Sequence, residues 1–509
     1  MFPGEFKRPG ADGSCEIPHW TCDWHMRVAV ALVFTAVCTG ARAARWDLTP
    51  RLYIGESYSD NVTLAPRNQL DDFITEITPG FSVRGKGSRL TVNLDYNYQV
   101  LRYAFNPKFN GDSNQLQANA TANIIRDIFF VDTRGNISQQ QISPSGSFSS
   151  SNLNATGNRA TVMTYGISPY VRHHFGPYAT SEVRYDLDRI ETTNGGQTLN
   201  TAAQQAANQL NSDRTNLTSY LQSGRYFQRL PWKIDFSRSE TTGQGASGTN
   251  ANFQKVTGSL SYVLTRKYRI NGTVGYEENT YTSSQGATSG QFWTLGGTWT
   301  PSPRTELTAA FGERYFGNTI SMHASHRHKH WIFTADYSEE PRLSTQQILS
   351  QQLIPLVDAF GQPVFNPDTS SRIFLPVNTR QLTNQVYIDK RLTAALTYQT
   401  PRNTISVNGY TSDQTGQATG GAQTQRGLGM TWTHPLSPRL SGGTGANWYT
   451  TDSGTGGQFT YYEFRPFLKY QLGPSINANL EYRYVENDTD SVGGGYIENM
   501  VSAFLSMHL

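Results

Sequence analysis

The chain has 509 residues, of which 16% are charged and 12% aromatic, and its formal net charge at pH 7 is +3. So small a charge over this length argues against a nucleic-acid partner. The length does not by itself indicate several domains, because a barrel is one closed sheet whose length grows with its number of strands.

The N-terminal residues have the pattern of a secretory signal peptide. Met26 and Arg27 precede the apolar run VAVALVFTAVC, and the small residues Ala41 and Ala43 follow it. The run is too short to span a bilayer as a helix, and small residues at these spacings are typical of a cleavage site. We therefore predict an N-terminal extension plus signal peptide over residues 1–43, with Met26 as the true start, and one barrel domain over residues 44–509.

Cysteine usage and motif content exclude several kinds of chemistry. Cys15, Cys22 and Cys38 all precede the predicted cleavage site. The mature part would then have no disulfide framework, thiolate nucleophile or zinc–thiolate site. Nucleophile-elbow, zinc-protease, phosphate-loop and dinucleotide-binding motifs are missing from the sequence. We expect no enzyme activity, no catalytic residue and no cofactor.

The stretch RLTVNLDYNYQVLRY, residues 89–103, shows the pattern that recurs along the whole chain. Apolar residues from Leu90 to Val100 alternate with polar residues from Thr91 to Gln99. This period of two places all the apolar side chains on one face of a strand. The stretch exceeds the usual 5 to 6 residues of a soluble strand and suits a tilted strand across a bilayer, which needs roughly 9 to 11.

Connections between such segments alternate in length. Short turns such as residues 301–304 alternate with longer Ser-, Thr-, Asn- and Gly-rich loops such as residues 142–158. Outer-membrane barrels have short periplasmic turns and long outer loops. The predicted fold is therefore all-β, a transmembrane antiparallel up-and-down β-barrel of about 22 strands, with 20 as the alternative. Because the first strand begins soon after Ala43, we also expect no plug domain.

Charged residues fall on the polar face of many segments and would line the lumen. A water-filled barrel lines itself with polar residues that pair across strands, which is the simplest explanation. A solute path is the alternative, and the mixture of signs suits a neutral or weakly charged glycan. The candidate lumen residues are Arg51, Glu76, Arg84, Asp95, Glu182, Arg184, Asp186, Asp188, Lys233, Asp235, Arg269, Glu463, Arg465, Lys469, Glu481 and Arg483.

Features near the strand ends indicate the membrane and its assembly machinery as partners. Aromatic residues near predicted strand ends, Tyr103 among them, suit the lipid headgroup layer. The C-terminal segment VSAFLSMHL alternates like a barrel-insertion signal, although it ends in Leu509 instead of an aromatic residue. We expect contacts with outer-membrane lipid and with the barrel-insertion machinery, and a bacterial outer-membrane location.

Several motifs resemble one known family. The most telling are Ser59-Asp60-Asn61-Val62, residues 75–80 (TEITPG) and Gly85-Lys86-Gly87, and the resemblance continues at residues 337–342 (YSEEPR) and 386–392 (VYIDKRL). In these motifs the chain resembles the PEP-CTERM system-associated outer-membrane proteins. The resemblance implies a barrel from a bacterium with an exosortase sorting system associated with exopolysaccharide production and export. Polysaccharide or periplasmic export components would be partners there.

The longest connection, residues 339–382, contains the apolar run LIPLVDAFGQPVF. Long loops without a function are uncommon. We predict a small hairpin that constricts the barrel mouth or lumen, with Leu353, Leu356, Phe360 and Phe365 as its apolar residues. A capping loop packed on neighbouring loops is the alternative. Deleting residues 345–375 should raise conductance if the segment is a constriction.

A histidine cluster lies in SMHASHRHKHW, with His323, His326, His328 and His330. Clustered histidines are typical of metal sites. Here Arg327 and Lys329 are interleaved and would repel a cation, so we predict no metal site.

Two functions fit these predictions, and an active siderophore-type transporter, which would need a plug, ranks third. The first is a pore that serves exopolysaccharide export or solute passage through an aqueous lumen. The second is a structural or anchoring protein whose outer loops bind polymer or sorted proteins.

Overall fold

The computed structural model describes residues 45–141, 147, 149–193, 211–243, 250–343, 386–453, 457–489 and 494–508. Across these ranges each strand pairs antiparallel with its neighbours in the chain, and β1 also pairs with β22, so the sheet closes into a barrel. The 22 strands in the described ranges are β1 Arg45–Ser59, β2 Asp72–Lys86, β3 Leu90–Tyr103, β4 Gly111–Ile125, β5 Phe129–Gln141, β6 Arg159–Phe175, β7 Ala179–Thr193, β8 Ser212–Ser223, β9 Trp232–Gly243, β10 Ala251–Val263, β11 Tyr268–Thr280, β12 Gly290–Ser302, β13 Thr305–Arg314, β14 Gly317–Arg327, β15 Trp331–Leu343, β16 Val386–Gln399, β17 Thr404–Gly416, β18 Ala422–Pro435, β19 Leu440–Asp452, β20 Gln458–Gly473, β21 Ile476–Thr489 and β22 Tyr496–His508.

The strands have the length that a bilayer requires. The shortest, β13, has 10 residues and the longest, β6, has 17, whereas a tilted strand needs roughly 9 to 11 residues to cross. Two short 3-10 helices, Pro107–Phe109 and Arg225–Phe227, lie in connections. Among the described residues, no helix is long and apolar enough to cross a membrane.

The two ends of the barrel differ in their connections. At the end where β1 begins and β22 finishes, the connections are short, such as residues 303–304 between β12 and β13; we call it the turn end. At the opposite end, which we call the loop end, most connections are longer, such as residues 60–71 and 142–158, although residues 315–316 between β13 and β14 form a short turn. The alternation of short and long connections that the sequence predicts therefore corresponds to two distinct ends, and the strand number of 22 agrees with the prediction.

Alternate residues of each strand face the inside and the outside of the barrel. In β7, Asp186 and Asp188 are 8% and 6% exposed, whereas the alternate residues Tyr185 and Leu187 are 41% and 40% exposed. Cross-strand partners share a face, so the strand registers carry this assignment around the barrel. We call the buried, mostly polar side the inner face and the exposed apolar side the outer face. The outer face suits lipid.

One residue predicted to face the lipid headgroups lies elsewhere. Tyr103, at the end of β3, is 3% exposed on the inner face, where it packs with Ile74, Leu101 and Met500. The sequence prediction used only its position near a strand end. Its parity with Leu101 places it inside, and its hydroxyl donates a hydrogen bond to the carbonyl of Leu153 at 2.9 Å.

Candidate functional site

The charged residues predicted to line the lumen all lie at inner-face positions. They belong to β1–β3, β7, β9, β11, β20 and β21. Their cross-strand partners are themselves inner-face residues; Glu182, for example, lies opposite Arg172 on one side and Tyr220 on the other. The inner face is thus a polar wall that carries both signs of charge.

Most of these charges are paired with an opposite charge. The guanidinium of Arg184 lies 2.7 Å from Asp132 and 3.3 Å from Glu182. Asp95 accepts from both Arg51 and Arg84, at 3.3 Å and 2.7 Å. The other pairs of the predicted set are Asp186 and Asp188 with Arg134, Lys233 with Asp235, Arg465 with Glu481, and Arg483 with Glu498. Pairing leaves little net field along this wall.

Hydrogen bonds hold two further carboxylates of the set, Glu76 and Glu463, and two cations of the set lie near the turn end. Glu76 accepts hydrogen bonds from Gln99 at 2.7 Å and from Thr78 at 2.9 Å. Glu463, 4% exposed, accepts from the hydroxyl of Tyr461 at 2.7 Å. Arg269 and Lys469 lie near the turn end and make no ion pair with any residue in the described ranges.

The connection between β1 and β2, residues 60–71, folds into the barrel; we call it loop L1. Val62 and Leu64 are 0% and 1% exposed. Val62 packs against the inner-face residues Ile74 and Met500, and Leu64 packs against an aromatic cluster on β19–β22 that includes Tyr461. Both leucine and valine gain by leaving water, so apolar burial holds L1 inside the mouth.

Polar contacts fix L1 to the last strand. The Asn61 amide donates to the carbonyls of Ala65 and Ile497 at 2.9 Å and 3.0 Å, and Asp60 accepts from the backbone and side-chain amides of Asn499. The Ser59 hydroxyl donates to Glu498 at 2.6 Å. The Ser59–Val62 motif, which carries part of the family resemblance, is therefore the point where L1 joins the β1–β22 seam.

The connection between β5 and β6, residues 142–158, also folds inward over its described part, residues 147 and 149–158; we call it loop L3. The side chains of Ser150 and Asn152 donate to Glu463 at 2.5 Å and to Gln99 at 3.0 Å, both on the inner face. The backbone N–H of Ala155 donates to the carbonyl of Val62 at 2.8 Å. L3 therefore rests on both the barrel wall and L1.

Asn154 joins L3 to a buried ion pair. One guanidinium nitrogen of Arg483, Nη2, donates to Glu498 and to the amide oxygen of Asn154, each at 2.7 Å. The amide nitrogen of Asn154 in turn donates to Glu498. The side chains of Arg483 and Glu498 are 3% and 0% exposed. Charge-assisted hydrogen bonds between buried groups are stronger than neutral ones, so this junction attaches L3 firmly to the barrel wall.

A polar cavity of about 200 Å³ lies between L3 and the wall. Residues 150–153 of L3 form one side. Glu76, Gln99, Arg465, Glu481 and Arg483 contribute polar groups from the wall. Tyr53 and Phe504 add an aromatic surface, with ring centroids 4.7 Å apart. The sequence analysis predicted that four of these wall residues, Glu76, Arg465, Glu481 and Arg483, line the lumen, but it did not predict the loop that completes the cavity.

The sequence also predicted a constricting hairpin, a signal peptide and a histidine cluster without a metal ion. Leu353, Leu356, Phe360 and Phe365 lie outside the described residues, as do residues 1–44, so the constricting hairpin and the signal peptide stay predictions. The histidines lie on β14 and in the following turn; His323 contacts Asp336 at 2.6 Å. Within the described ranges, no three His, Cys, Asp or Glu residues form a group that could hold a metal ion.

Comparison with known proteins finds the likeness in the fold alone. No protein-family model matches the sequence, and no curated protein matches it. The FrpB iron transporter from Neisseria meningitidis (F5-1 variant, apoprotein form) is similar in structure, with a TM-score of 0.50 and 10% identity over 93% of this chain and 82% of that one. The ferric-catecholate import receptor Fiu from E. coli K12 has a TM-score of 0.49 and 11% identity over 91% of this chain and 82% of that one.

The prediction that this fold has no plug domain is wrong. The structures with similar barrels are TonB-dependent receptors, which have a plug domain. We predicted that a plug domain is absent because the first strand begins soon after Ala43. The position of the first strand does not determine what fills the lumen. The lumen of a 22-stranded barrel is wide, and outer-membrane transporters of this size have a plugged lumen.

The closed barrel, its strand lengths, its apolar outer face and its polar inner face suit a bilayer, and the fold is similar to that of the FrpB iron transporter. The protein is a 22-stranded β-barrel of the bacterial outer membrane with a transporter-like fold.

Proposed function

We propose that the protein passes a polar solute of little or no net charge across the outer membrane. The observation that carries this proposal is the inner face, where carboxylates and guanidinium groups pair with each other, as Asp95 does with Arg51 and Arg84. A wall with balanced charges neither attracts nor repels ions of one sign strongly. A neutral glycan is the solute class that suits such a wall.

The resemblance to PEP-CTERM system-associated proteins supports a more specific role for this passage. In that setting the solute is an exopolysaccharide or a segment of one, and the protein serves its export. The many amide and hydroxyl groups on the inner face favour a hydroxyl-rich polymer, since hydrogen bonds to such groups replace those to water; Asn93 and Asn119, for example, face each other across β3 and β4.

Loops L1 and L3 give the passage a point of control. Their contacts fall on β1–β3 and β19–β22, so they narrow one side of the mouth at the loop end. A loop fixed by buried polar contacts holds a defined aperture, whereas a free loop would not. The same contacts speak against a role in which these two loops project outward to anchor surface polymer.

Reconstitution of the full chain tests the proposal. Liposomes that contain the protein should swell in solutions of neutral mono- and disaccharides, and planar bilayers should show channels with nearly equal permeability to K⁺ and Cl⁻. Liposomes prepared with heat-unfolded protein are the control. No swelling, or no conductance beyond leak, would contradict passage and would favour the anchoring function instead.

A further inference from the structure

We infer that the cavity between L3 and the barrel wall binds one neutral sugar unit. This inference rests on the proposed passage of a glycan and names a site for it. The cavity combines a hydrogen-bonding side, an aromatic side and balanced charge. Each of these properties restricts the class of ligand.

The hydrogen-bonding side of the cavity includes Arg483, whose guanidinium group has N–H donors without a partner among the described residues. The Arg483 side chain is 3% exposed, and within the described part of the chain its Nε and Nη1 have no hydrogen-bond partner, since its bonds to Glu498 and Asn154 both use Nη2. Buried N–H groups of native proteins are rarely left unpaired. Because these two nitrogens are themselves buried, a ligand with hydroxyl oxygens would accept from them only after the Arg483 side chain shifts toward the cavity.

Two amide side chains bridge the cavity from opposite sides. Gln99 of the wall accepts from Asn152 of L3 at 3.0 Å and from Ser113 at 3.1 Å, and its own amide nitrogen donates to Glu76. Amides both donate and accept, as sugar hydroxyls do. A sugar hydroxyl can therefore donate to one of these amides and accept from the other, and no charged side chain has to change its position.

Charge balance at the cavity favours a neutral ligand. Of its lining residues, Glu76 and Glu481 carry negative charge, and Arg465 and Arg483 carry positive charge. These four charges cancel, so an anion or a cation would meet a partner of like sign as readily as one of opposite sign. Burying a charged ligand there would cost desolvation without a matching gain.

The remaining surface and the size indicate a single ring. Tyr53 and Phe504 form a tilted aromatic pair on which the C–H face of a sugar ring can pack. A volume of about 200 Å³ is below the roughly 300–1,000 Å³ of pockets for drug-sized ligands. One pyranose unit fits this description better than an oligosaccharide.

Saturation-transfer difference NMR on the full chain in LDAO micelles, which carry no sugar headgroup, tests the inference. The probes are methyl α-glucopyranoside and N-acetylglucosamine, with glucuronate as the charged comparison. We expect saturable transfer to at least one neutral sugar with millimolar affinity, and weaker transfer to glucuronate. Gln99→Leu and Asn152→Leu should each weaken binding roughly ten-fold, about the effect of one lost hydrogen bond.

Gln423→Leu is the matched control, because Gln423 is an amide at an inner-face position on β18 outside the cavity. It should bind sugar like the wild type. Folding of each variant is checked by its faster migration in SDS gels before boiling. The inference would be overturned if saturation transfer to sugar were equal in the wild type and the three variants. It would also be overturned if transfer to glucuronate were stronger than to the neutral sugars, or if no transfer were seen. Binding in micelles and swelling of liposomes are independent, so failure of the sugar site and failure of the proposed passage are told apart.

Discussion

Replacing Glu498 with leucine is expected to lower the free energy of unfolding by about 3–5 kcal/mol, the cost typical of removing one partner from a buried ion pair. Arg483 would keep its charge at 3% exposure without the carboxylate to which it donates. Ser59 and Asn154 would lose an acceptor at the same time. Urea unfolding in detergent micelles, followed by tryptophan fluorescence, measures the change.

The double variant Glu498→Leu/Arg483→Met separates charge from packing. Well-packed apolar replacements of a buried ion pair are often neutral or stabilising, so the double variant should recover most of the lost stability. Asp235→Asn is the matched control. It removes one carboxylate from a pair with Lys233 on the same inner face, but the two side chains are 35% and 44% exposed, so its effect should be about 0–1 kcal/mol. A loss from Glu498→Leu no larger than this would refute the structural role of the junction.

Freeing L3 is expected to raise single-channel conductance. Replacing residues 150–154 by glycine and serine at equal length removes the side chains of Asn152 and Asn154, which bond to Gln99 and Glu498. The loop would then leave the wall and widen the aqueous cross-section. We expect single-channel conductance to rise roughly two-fold, since ion flow is limited at the narrowest part of a pore. The current should also fluctuate more, because the freed loop would move within the lumen.

The control for this experiment is the same replacement in residues 283–287, between β11 and β12. That connection contacts another loop through Ser284 and Gln417, and among the described residues it makes no contact of the kind that holds L3 to the inner wall. Conductance should stay at the wild-type value. Equal conductance in the L3 variant and the wild type would show that L3 does not limit the passage.

The sequence predicts the wall of this barrel well because each strand repeats one local rule. A period of two in a strand such as β7 places Val183 and Tyr185 outside and Asp186 and Asp188 inside, whatever the neighbouring strands are. Turn lengths then order the strands, because antiparallel neighbours need only a short connection. Strand number and inner-face membership follow from this rule alone.

Sequence reasoning does not predict the candidate site because the site is assembled from distant parts of the chain. Ser150 and Glu463 are 313 residues apart, and Asn154 and Glu498 are 344 apart. No local pattern distinguishes a Ser- and Asn-rich loop that folds inward from one that stays in solvent. The same limit explains Tyr103, which a position near a strand end suggests is at the lipid surface but which L1 and L3 cover.

The recurrent alternation determined that the chain forms a closed wall with lipid outside and charge inside, since burying the wrong face of any strand would cost desolvation along its whole length. Tertiary structure alone decided which charges are deeply buried and what meets them. Arg483 and Arg269 both have lumen parity, yet Arg483 is buried beneath L3 with Glu498, whereas Arg269 is exposed near the turn end. The reason is physical: parity is fixed by adjacent residues, but burial depends on loops that return from elsewhere in the chain.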